Sequence, residues 1–503
     1  MIENQIVVNQ IREEHIDPTS EISLEAVKKR AVGGVIVLTG RTFLLQALSF
    51  TAWFFLSIFL DAKEIGIFFI VSAVVNFLRY FSDIGLAASL IQKKEKLEEN
   101  DLRTTFTIQQ GLVVLLLLLL YFASPFLRDY YGLSSEGILL LYALGAAFVF
   151  SSLKTIPSVL LERELNFGKL VIPDVLENLV YNLSAVIFAG MGWGIRSFTY
   201  AVILRGIVGL LAIYIIKPWI PGIAISKNSL KKLLTFGVPY QLNTLLATIK
   251  DDGMTAFLGG ILGPIGIGFL GWAQKWAQTP LRLFMDNVLK VTFPAFSRMQ
   301  DTKDQLARSV TRSIFFVCLL VFPSVVALLI LAPLLVKIIP RYEKWEPALL
   351  PLALVSINVL FAAATTQLTN LLNAIGRIKT TFILMIMWTA LTWIFIPVLS
   401  ISLGVTGASL GYAVVGISSV IAMYVARRYV KYSLKEGIVK PAFAAFFMAL
   451  SMLFLRKILP VSYGSVFLLS LLGVSVYALM LYFVVGASLV ADVKKSFKIF
   501  FQR

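Results

Sequence analysis

Long runs of hydrophobic residues, separated by short polar stretches, extend along almost the whole chain of 503 residues. A helix needs about 20 mostly apolar residues to cross a bilayer, and most of these runs reach that length. The pattern predicts an all-α polytopic membrane protein with about fourteen transmembrane helices. The predicted spans are 31–60, 64–92, 103–126, 137–162, 170–190, 196–216, 232–259, 264–297, 312–340, 347–375, 379–402, 405–427, 438–459 and 463–489.

The composition supports this class and excludes several kinds of chemistry. Hydrophobic residues make up 58% of the chain and charged residues 15%, whereas soluble proteins carry about 25% charged residues. The chain has one cysteine, Cys318, and one histidine, His15. An intrachain disulfide and a His/Cys metal cluster are therefore excluded by number, and we predict neither a cofactor nor a catalytic centre.

The excess of basic residues is explained by membrane topology. The formal net charge is +17, which in a soluble protein would suggest nucleic-acid binding. On alternate loops, 29 of the 45 Lys and Arg residues fall on one side of the predicted membrane and 8 on the other. Because loops rich in Lys and Arg stay in the cytoplasm, both termini are predicted to be cytoplasmic, with tails at 1–30 and 490–503.

An internal repeat divides the chain. Leu78-Arg79-Tyr80-Phe81-Ser82-Asp83 and Leu281-Arg282-Leu283-Phe284-Met285-Asp286 share the pattern L-R-x-F-x-D, and three further matches follow the same order. Six spans return the chain to the same side, so the repeats are parallel. We predict two six-helix lobes and an added helix pair. Their ranges are 31–217 for the N-lobe, 218–231 for a cytoplasmic linker, 232–430 for the C-lobe and 431–489 for the helix pair.

Fourteen charged residues fall within the spans and are the functional candidates. A charge at the bilayer centre costs roughly 2.5–3.5 kcal/mol on translocon scales, so these side chains must face protein or a water-filled cavity. Seven of the eight cations are predicted to contact an anionic substrate headgroup: Arg41, Arg79, Lys154, Arg205, Lys250, Lys275 and Arg282. Six acids are predicted to act in ion pairing or coupling: Asp83, Asp174, Glu177, Asp251, Asp252 and Asp286.

Two interpretations of these charges stay open. Arg79 with Asp83, and Arg282 with Asp286, have the i, i+4 spacing of helical ion pairs, so each pair either neutralises itself or orients its arginine towards a headgroup. Lys250 and Lys275 have no acid at i±4 on their own helices and are the better candidates for substrate charge. Coupling of Asp251 and Asp252 to protons or sodium is a further alternative.

Three segments resemble the polysaccharide transporter family of the multidrug/oligosaccharidyl-lipid/polysaccharide flippase superfamily, the Wzx-type flippases. The first segment, after Glu64-Ile65-Gly66, is Phe81-Ser82-Asp83-Ile84-Gly85-Leu86-Ala87-Ala88-Ser89-Leu90-Ile91-Gln92. The second is Leu161-Glu162-Arg163-Glu164-Leu165-Asn166-Phe167-Gly168-Lys169-Leu170. The third runs from Ile265-Gly266 to Phe293-Pro294-Ala295-Phe296-Ser297-Arg298-Met299-Gln300-Asp301.

The resemblance implies a flippase of the bacterial inner membrane, not an enzyme. It would move an undecaprenyl-pyrophosphate-linked oligosaccharide by alternating access, for polysaccharide or lipopolysaccharide synthesis, with polymerase machinery as a partner. Fourteen spans are also found in the similar lipid II flippases, so that substrate is an alternative. A cation-coupled multidrug exporter is another. A membrane glycosyltransferase or polymerase is disfavoured, because the predicted outer loops are short.

Overall fold

The computed structural model describes residues 24–93 and 95–486, which are helical with short turns and contain no strand. The predicted all-α class is confirmed; the tails predicted at 1–30 and 490–503 lie largely outside the described residues. The helices are α1 (Leu24–Phe59), α2 (Ala62–Arg79), α3 (Leu86–Gln92), α4 (Glu99–Tyr131), α5 (Ser135–Arg163), α6 (Phe167–Gly190), α7 (Arg196–Ile216), α8 (Lys227–Thr248), α9 (Met254–Arg298), α10 (Lys303–Ile338), α11 (Leu349–Ala374), α12 (Ile378–Ile417), α13 (Ser419–Tyr429), α14 (Lys440–Ile458) and α15 (Tyr463–Val485).

Within the described ranges, twelve helical stretches are long and apolar enough to cross a membrane. Two of them, Leu245–Asp286 with 42 residues and Ile378–Tyr429 with 52, are much longer than one crossing needs. Each contains a glycine with positive φ, Gly263 at 63° and Gly404 at 58°. These glycines lie at predicted boundaries between two spans, and the total of fourteen stays a prediction.

At Gly404 the chain folds back on itself. A Cβ atom added to Gly411 would lie 2.8 Å from Ile396 Cα, and one added to Gly407 would lie within van der Waals contact of the Leu399 backbone. In a straight helix, residues 396 and 411 would be about 22 Å apart at about 1.5 Å per residue. The two parts of α12 therefore pack against each other as a helical hairpin.

The chain forms two compact units, Met1–Pro264 and Ile265–Arg503. In the first unit, α7 packs against α5 and α6, and α6 packs against α1. In the second, α11 packs against α10 and α12, and α14 against α10 and α15. The predicted lobes and linker stay predictions.

The second predicted span, 64–92, is interrupted. After α2, the residues Tyr80–Ser82 form a 3₁₀ turn, and Ile84 and Gly85 then take φ values of 48° and 74°. Left-handed backbone ends a helix, because it breaks the repeating i to i−4 hydrogen bonds. The chain resumes as the short helix α3, so the prediction of one continuous helix over 64–92 was wrong.

Helix α3 touches α8 backbone to backbone. A Cβ atom on Gly85 would overlap Gly237 O, and the hydroxyl of Ser89 donates to Leu233 O at 2.7 Å. The amide of Gln241 donates to Tyr80 O at 2.6 Å, so the contact continues along α8. Only glycine combines positive φ with so close an approach at position 85.

Replacing Gly85 by alanine is expected to destabilise the protein more than the same change at Gly132. Both glycines have positive φ, but nothing lies within 4 Å of a Cβ at Gly132. Gly132→Ala should cost about 1–2 kcal/mol of backbone strain, and Gly85→Ala a further 1–3 kcal/mol, roughly, for overpacking. Thermal unfolding in detergent measures both; equal losses of Tm would contradict the backbone contact.

Candidate functional site: a charged cavity in the N-terminal unit

Helices α2, α5, α6 and α7 enclose a cavity of about 670 Å³ in the N-terminal unit. Its wall contains six charged residues, namely Arg79, Lys154, Arg205, Glu162, Asp174 and Glu177. Five of them are predicted site residues, taken from four different helices of the sequence. The fold therefore places together most of the charges predicted for the first half of the chain.

Glu177, on α6, binds two cations from neighbouring helices. Its carboxylate pairs with Lys154 Nζ of α5 through one oxygen and with Arg205 Nε of α7 through the other, the latter at 3.4 Å. The Glu177 side chain is only 7% exposed. Gly209, on α7, provides the space, since a Cβ atom there would overlap the carboxylate. Glu177 thus joins three helices at one buried point.

Asp174, one turn before Glu177, binds the fourth cation. Arg41 Nη2 of α1 lies 2.7 Å from Asp174 Oδ2, and both side chains are about one-third exposed. Arg41 has no acid at i±4 on its own helix, and its partner is an acid of the neighbouring helix α6.

Arg205 also lies over the Tyr181 ring, with 5.7 Å from Cζ to the ring centroid, which is cation–π geometry. Arg205 keeps 45% of its side chain exposed.

Arg79 differs from the other cations of this cavity. Its Nη2 donates to Ser151 Oγ at 3.4 Å, and among the described residues no carboxylate lies within salt-bridge distance of it. The i, i+4 pair with Asp83 does not form in the structure, because α2 ends at Arg79. Asp83 instead accepts a hydrogen bond from the Ala87 amide at 3.2 Å, at the start of α3.

Arg79 also lies in the wall of a second polar cavity of about 390 Å³. Asn76, Asp83 and Asp252 line it as well, so the two cavities share one arginine. Lys250 and Asp251 form a pair at 2.6 Å within the π-helical turn Ile249–Gly253. Lys250, predicted to be available for substrate, is therefore neutralised by its own neighbour.

The remaining predicted residues lie in the C-terminal unit. Lys275, Arg282 and Asp286 are exposed on α9, and Arg282 Nη2 donates to Gln278 Oε1 at 3.0 Å. They line neither of the two cavities described above. Their role in binding stays a prediction.

Sequence reasoning missed Glu162. This acid ends one face of α5, where Ser151, Lys154, Ser158 and Glu162 follow the spacing i, i+3, i+7, i+11 and all line the larger cavity. That spacing is visible in the sequence. Glu162 is the last residue of the predicted span 137–162 and is not among the charges counted within the spans.

The apolar helices and the charged cavity that they enclose define a multi-pass membrane protein of transporter architecture. Comparison with known families is more specific. The family described as "Polysaccharide biosynthesis protein" matches residues 55–350, which is more than half of the chain. The chain belongs to this polysaccharide biosynthesis protein family.

Individual relatives are consistent with the family. The chain is 23% identical to the lipopolysaccharide biosynthesis protein WzxC of Escherichia coli K12, over 73% of this chain and 74% of WzxC. It is also 23% identical to the succinoglycan biosynthesis transport protein ExoT of Rhizobium meliloti, over 62% of each chain. The printed names of these two relatives refer to biosynthesis and transport, and neither names an enzymatic reaction.

Solved structures share the fold. The lipid II flippase MurJ, in an inward closed conformation, superposes with a TM-score of 0.74 at 16% identity, over 89% of this chain and 98% of MurJ. An inward-facing multidrug resistance transporter of the MATE family gives a TM-score of 0.60 at 15% identity, over 79% of this chain and 98% of its own. The family match and the relative WzxC confirm the resemblance to Wzx-type flippases, and the solved structures show the shared fold.

Glu177→Gln is expected to destabilise the protein strongly, because it leaves Lys154 and Arg205 without their shared carboxylate. Breaking a buried ion pair from one side costs about 3–5 kcal/mol. Removing the cation as well, in Lys154→Met/Glu177→Gln, should recover part of the loss. Thermal unfolding in detergent is the measurement.

The matched control is Glu136→Gln on α5. Glu136 pairs with Arg196 at 3.0 Å, but the two side chains are 44% and 54% exposed. Surface ion pairs contribute about 0–1 kcal/mol, so this variant should unfold close to the parent. A Glu177→Gln variant as stable as Glu136→Gln would show that Glu177 is not a structural junction.

Proposed function

We propose that this chain is a flippase that moves a lipid-linked oligosaccharide across the bacterial inner membrane by alternating access. The lipid carrier is undecaprenyl pyrophosphate, and the product feeds polysaccharide or lipopolysaccharide synthesis. Family membership and the names of WzxC and ExoT support the class of substrate. The protein is a transporter and not an enzyme. The oligosaccharide passes to polymerase machinery, which we propose as its partner.

The observation that carries the substrate chemistry is an arginine of the larger cavity, Arg79, that pairs with none of the acids around it. Arg79, Lys154 and Arg205 line this cavity with Glu162, Asp174 and Glu177, and Arg41 is bound to Asp174. Four cations against three acids leave a formal charge of +1. Arginine binds phosphate oxygens through two parallel hydrogen bonds, and no carboxylate in the described part of the chain competes for the Arg79 guanidinium.

The proposed orientation rests on the distribution of Lys and Arg. With 29 basic residues on one side of the predicted membrane and 8 on the other, both termini are cytoplasmic. Substrate then enters from the cytoplasmic leaflet, and its lipid tail remains in the bilayer while the headgroup crosses.

Two other substrates fit the same fold. MurJ is named as a lipid II flippase, so lipid II is one alternative substrate. The MATE transporter is named for multidrug resistance, and a cation-coupled exporter would use acids such as Asp83 and Asp174. Asp174 is bound by Arg41 in this structure, which favours an anionic substrate over cation coupling.

Arg79→Gln is expected to reduce flipping, because it removes the cavity cation that is free of carboxylates. Losing a charge-assisted hydrogen bond costs about 1.5–3 kcal/mol, or roughly 10- to 100-fold in rate. Production of surface polysaccharide in cells that lack their own flippase gives the measurement, with immunoblots of membranes to establish equal protein levels. Lipid-linked oligosaccharide should accumulate on the cytoplasmic leaflet.

The matched control is Arg196→Gln, an arginine whose ion pair with Glu136 lies at the surface. This variant should transport like the parent. Normal transport by Arg79→Gln would remove Arg79 from the headgroup site. If the parent chain protects cells from cationic drugs and restores no polysaccharide, the exporter is the correct function.

A further inference from the structure

The segment between α7 and α8 has an unusual surface. Residues 217–226 form no helix, yet Ile220 is 83% exposed, Ile223 is 85% exposed and Ile225 is 65% exposed. These are among the most exposed isoleucines of the described chain, and they lie within six residues of each other. Burying such side chains is favourable, so this surface requires an apolar neighbour.

The opposite side of the segment is fixed to α4. The Ala224 amide donates to Thr107 Oγ1 at 3.1 Å, and the Ser226 amide donates to Thr104 Oγ1 at 3.0 Å. Side chains alternate between two faces along extended backbone. Exposure follows this alternation, since residues 222, 224 and 226 are partly buried whereas Ile223 and Ile225 are exposed and face outwards.

Two further contacts hold the segment in place. The Trp219 ring meets Phe106 edge to face, with 5.3 Å between ring centroids. The Arg103 side chain covers Gly222 so closely that a Cβ atom at 222 would lie 2.7 Å from Arg103 Nε. The isoleucines are thus presented by a fixed piece of backbone.

The position of α4 gives the depth of the segment. Thr104 and Thr107 lie at the start of the span predicted at 103–126. Val114 and Leu115, which are 54% and 61% exposed, lie seven and eight residues beyond Thr107, or about 10–12 Å along the helix. Interfacial apolar groups enter a bilayer to about 5–10 Å. From this spacing we expect the isoleucines at the level of the headgroup and acyl-chain boundary.

The charges beside the isoleucines indicate the charge of the lipid headgroups that this surface would meet. Lys227 and Lys231 follow the segment, are exposed, and form no salt bridge among the described residues. The nearby Lys217 and Arg103 are paired with Glu164 and Glu99 at 2.5 Å and 2.9 Å. Lysines at a membrane surface attract anionic lipids.

We propose that residues 219–225 are a membrane-surface anchor. Ile220, Ile223 and Ile225 insert among the acyl chains of one leaflet, and Lys227 and Lys231 bind anionic phospholipid headgroups there. The assignment to the cytoplasmic leaflet rests on the proposed function, whereas the insertion itself does not.

The depth of residue 223 tests the anchor. Cys318 is buried, so a nitroxide reagent should label Ile223→Cys in the full chain, with the unmodified chain as the blank. Reconstitution uses vesicles of phosphatidylcholine and phosphatidylglycerol. Relaxation by oxygen, which concentrates in lipid, is compared with relaxation by a water-soluble nickel chelate. Leu115→Cys on α4 is the lipid reference, and Lys303→Cys at the start of α10 is the water reference.

The anchor predicts that the oxygen-to-nickel ratio at 223 is severalfold higher than at 303 and lower than at 115, which lies deeper in the span. A ratio equal to that at 303 would overturn it and leave the isoleucines open to a protein partner. This outcome is independent of flipping, so it is distinguishable from failure of the proposed function.

Headgroup binding has a separate test. Lys227→Gln/Lys231→Gln, or vesicles of phosphatidylcholine alone, should lower the oxygen-to-nickel ratio at 223, because the label then lies closer to water. An unchanged ratio under both conditions would overturn the role of the lysines. Thermal unfolding of the double variant, expected to match the parent, establishes that the fold is retained.

Discussion

Neutralisation of charge within the apolar helices is the constraint on which the N-terminal unit depends. Isolated charges in a membrane are costly, yet α1, α5 and α7 each bring one cation, Arg41, Lys154 and Arg205, to the same region. Helix α6 supplies the two acids that bind them, one turn apart. These ion pairs link α6 to the three helices around it, so the packing and the charged cavity have one origin.

If the chain moves a pyrophosphate-linked substrate, as we propose, the same ion pairs also affect how tightly the cavity binds it. In a low-dielectric cavity, several unpaired cations would hold a pyrophosphate too tightly for release, because ionic attraction increases as the dielectric constant falls. Acids that already bind these cations weaken that attraction. A substrate phosphate must exchange with a carboxylate at Lys154 or Arg205, whereas at Arg79 it displaces only a serine hydroxyl. In the proposed function, Arg79 is therefore the cation that we expect a substrate phosphate to contact first.

The sequence was sufficient for the class of fold and for the set of charged residues, because the cost of exposing a charge to lipid limits where it can lie. The sequence was insufficient to predict which acid pairs with which cation. Spacing at i±4 detects pairs on one helix, so Arg41 and Arg205 looked unpaired, although their acids lie on α6. The opposite error occurred at Arg79 and Asp83, whose i, i+4 spacing is typical of a pair that the structure does not contain. The helix ends between them, and left-handed backbone follows at Ile84 and Gly85.

Backbone contact explains why that break is tolerated. A continuous helix over 64–92 would satisfy its own hydrogen bonds, and in lipid an interruption leaves polar groups that must be bound elsewhere. Here Asp83 binds the Ala87 amide, and Gln241 of α8 binds the Tyr80 carbonyl. The interruption therefore ties α2 and α3 to α8. It also turns Asp83 away from Arg79, so the same local geometry that fastens α8 keeps one arginine available to an anion.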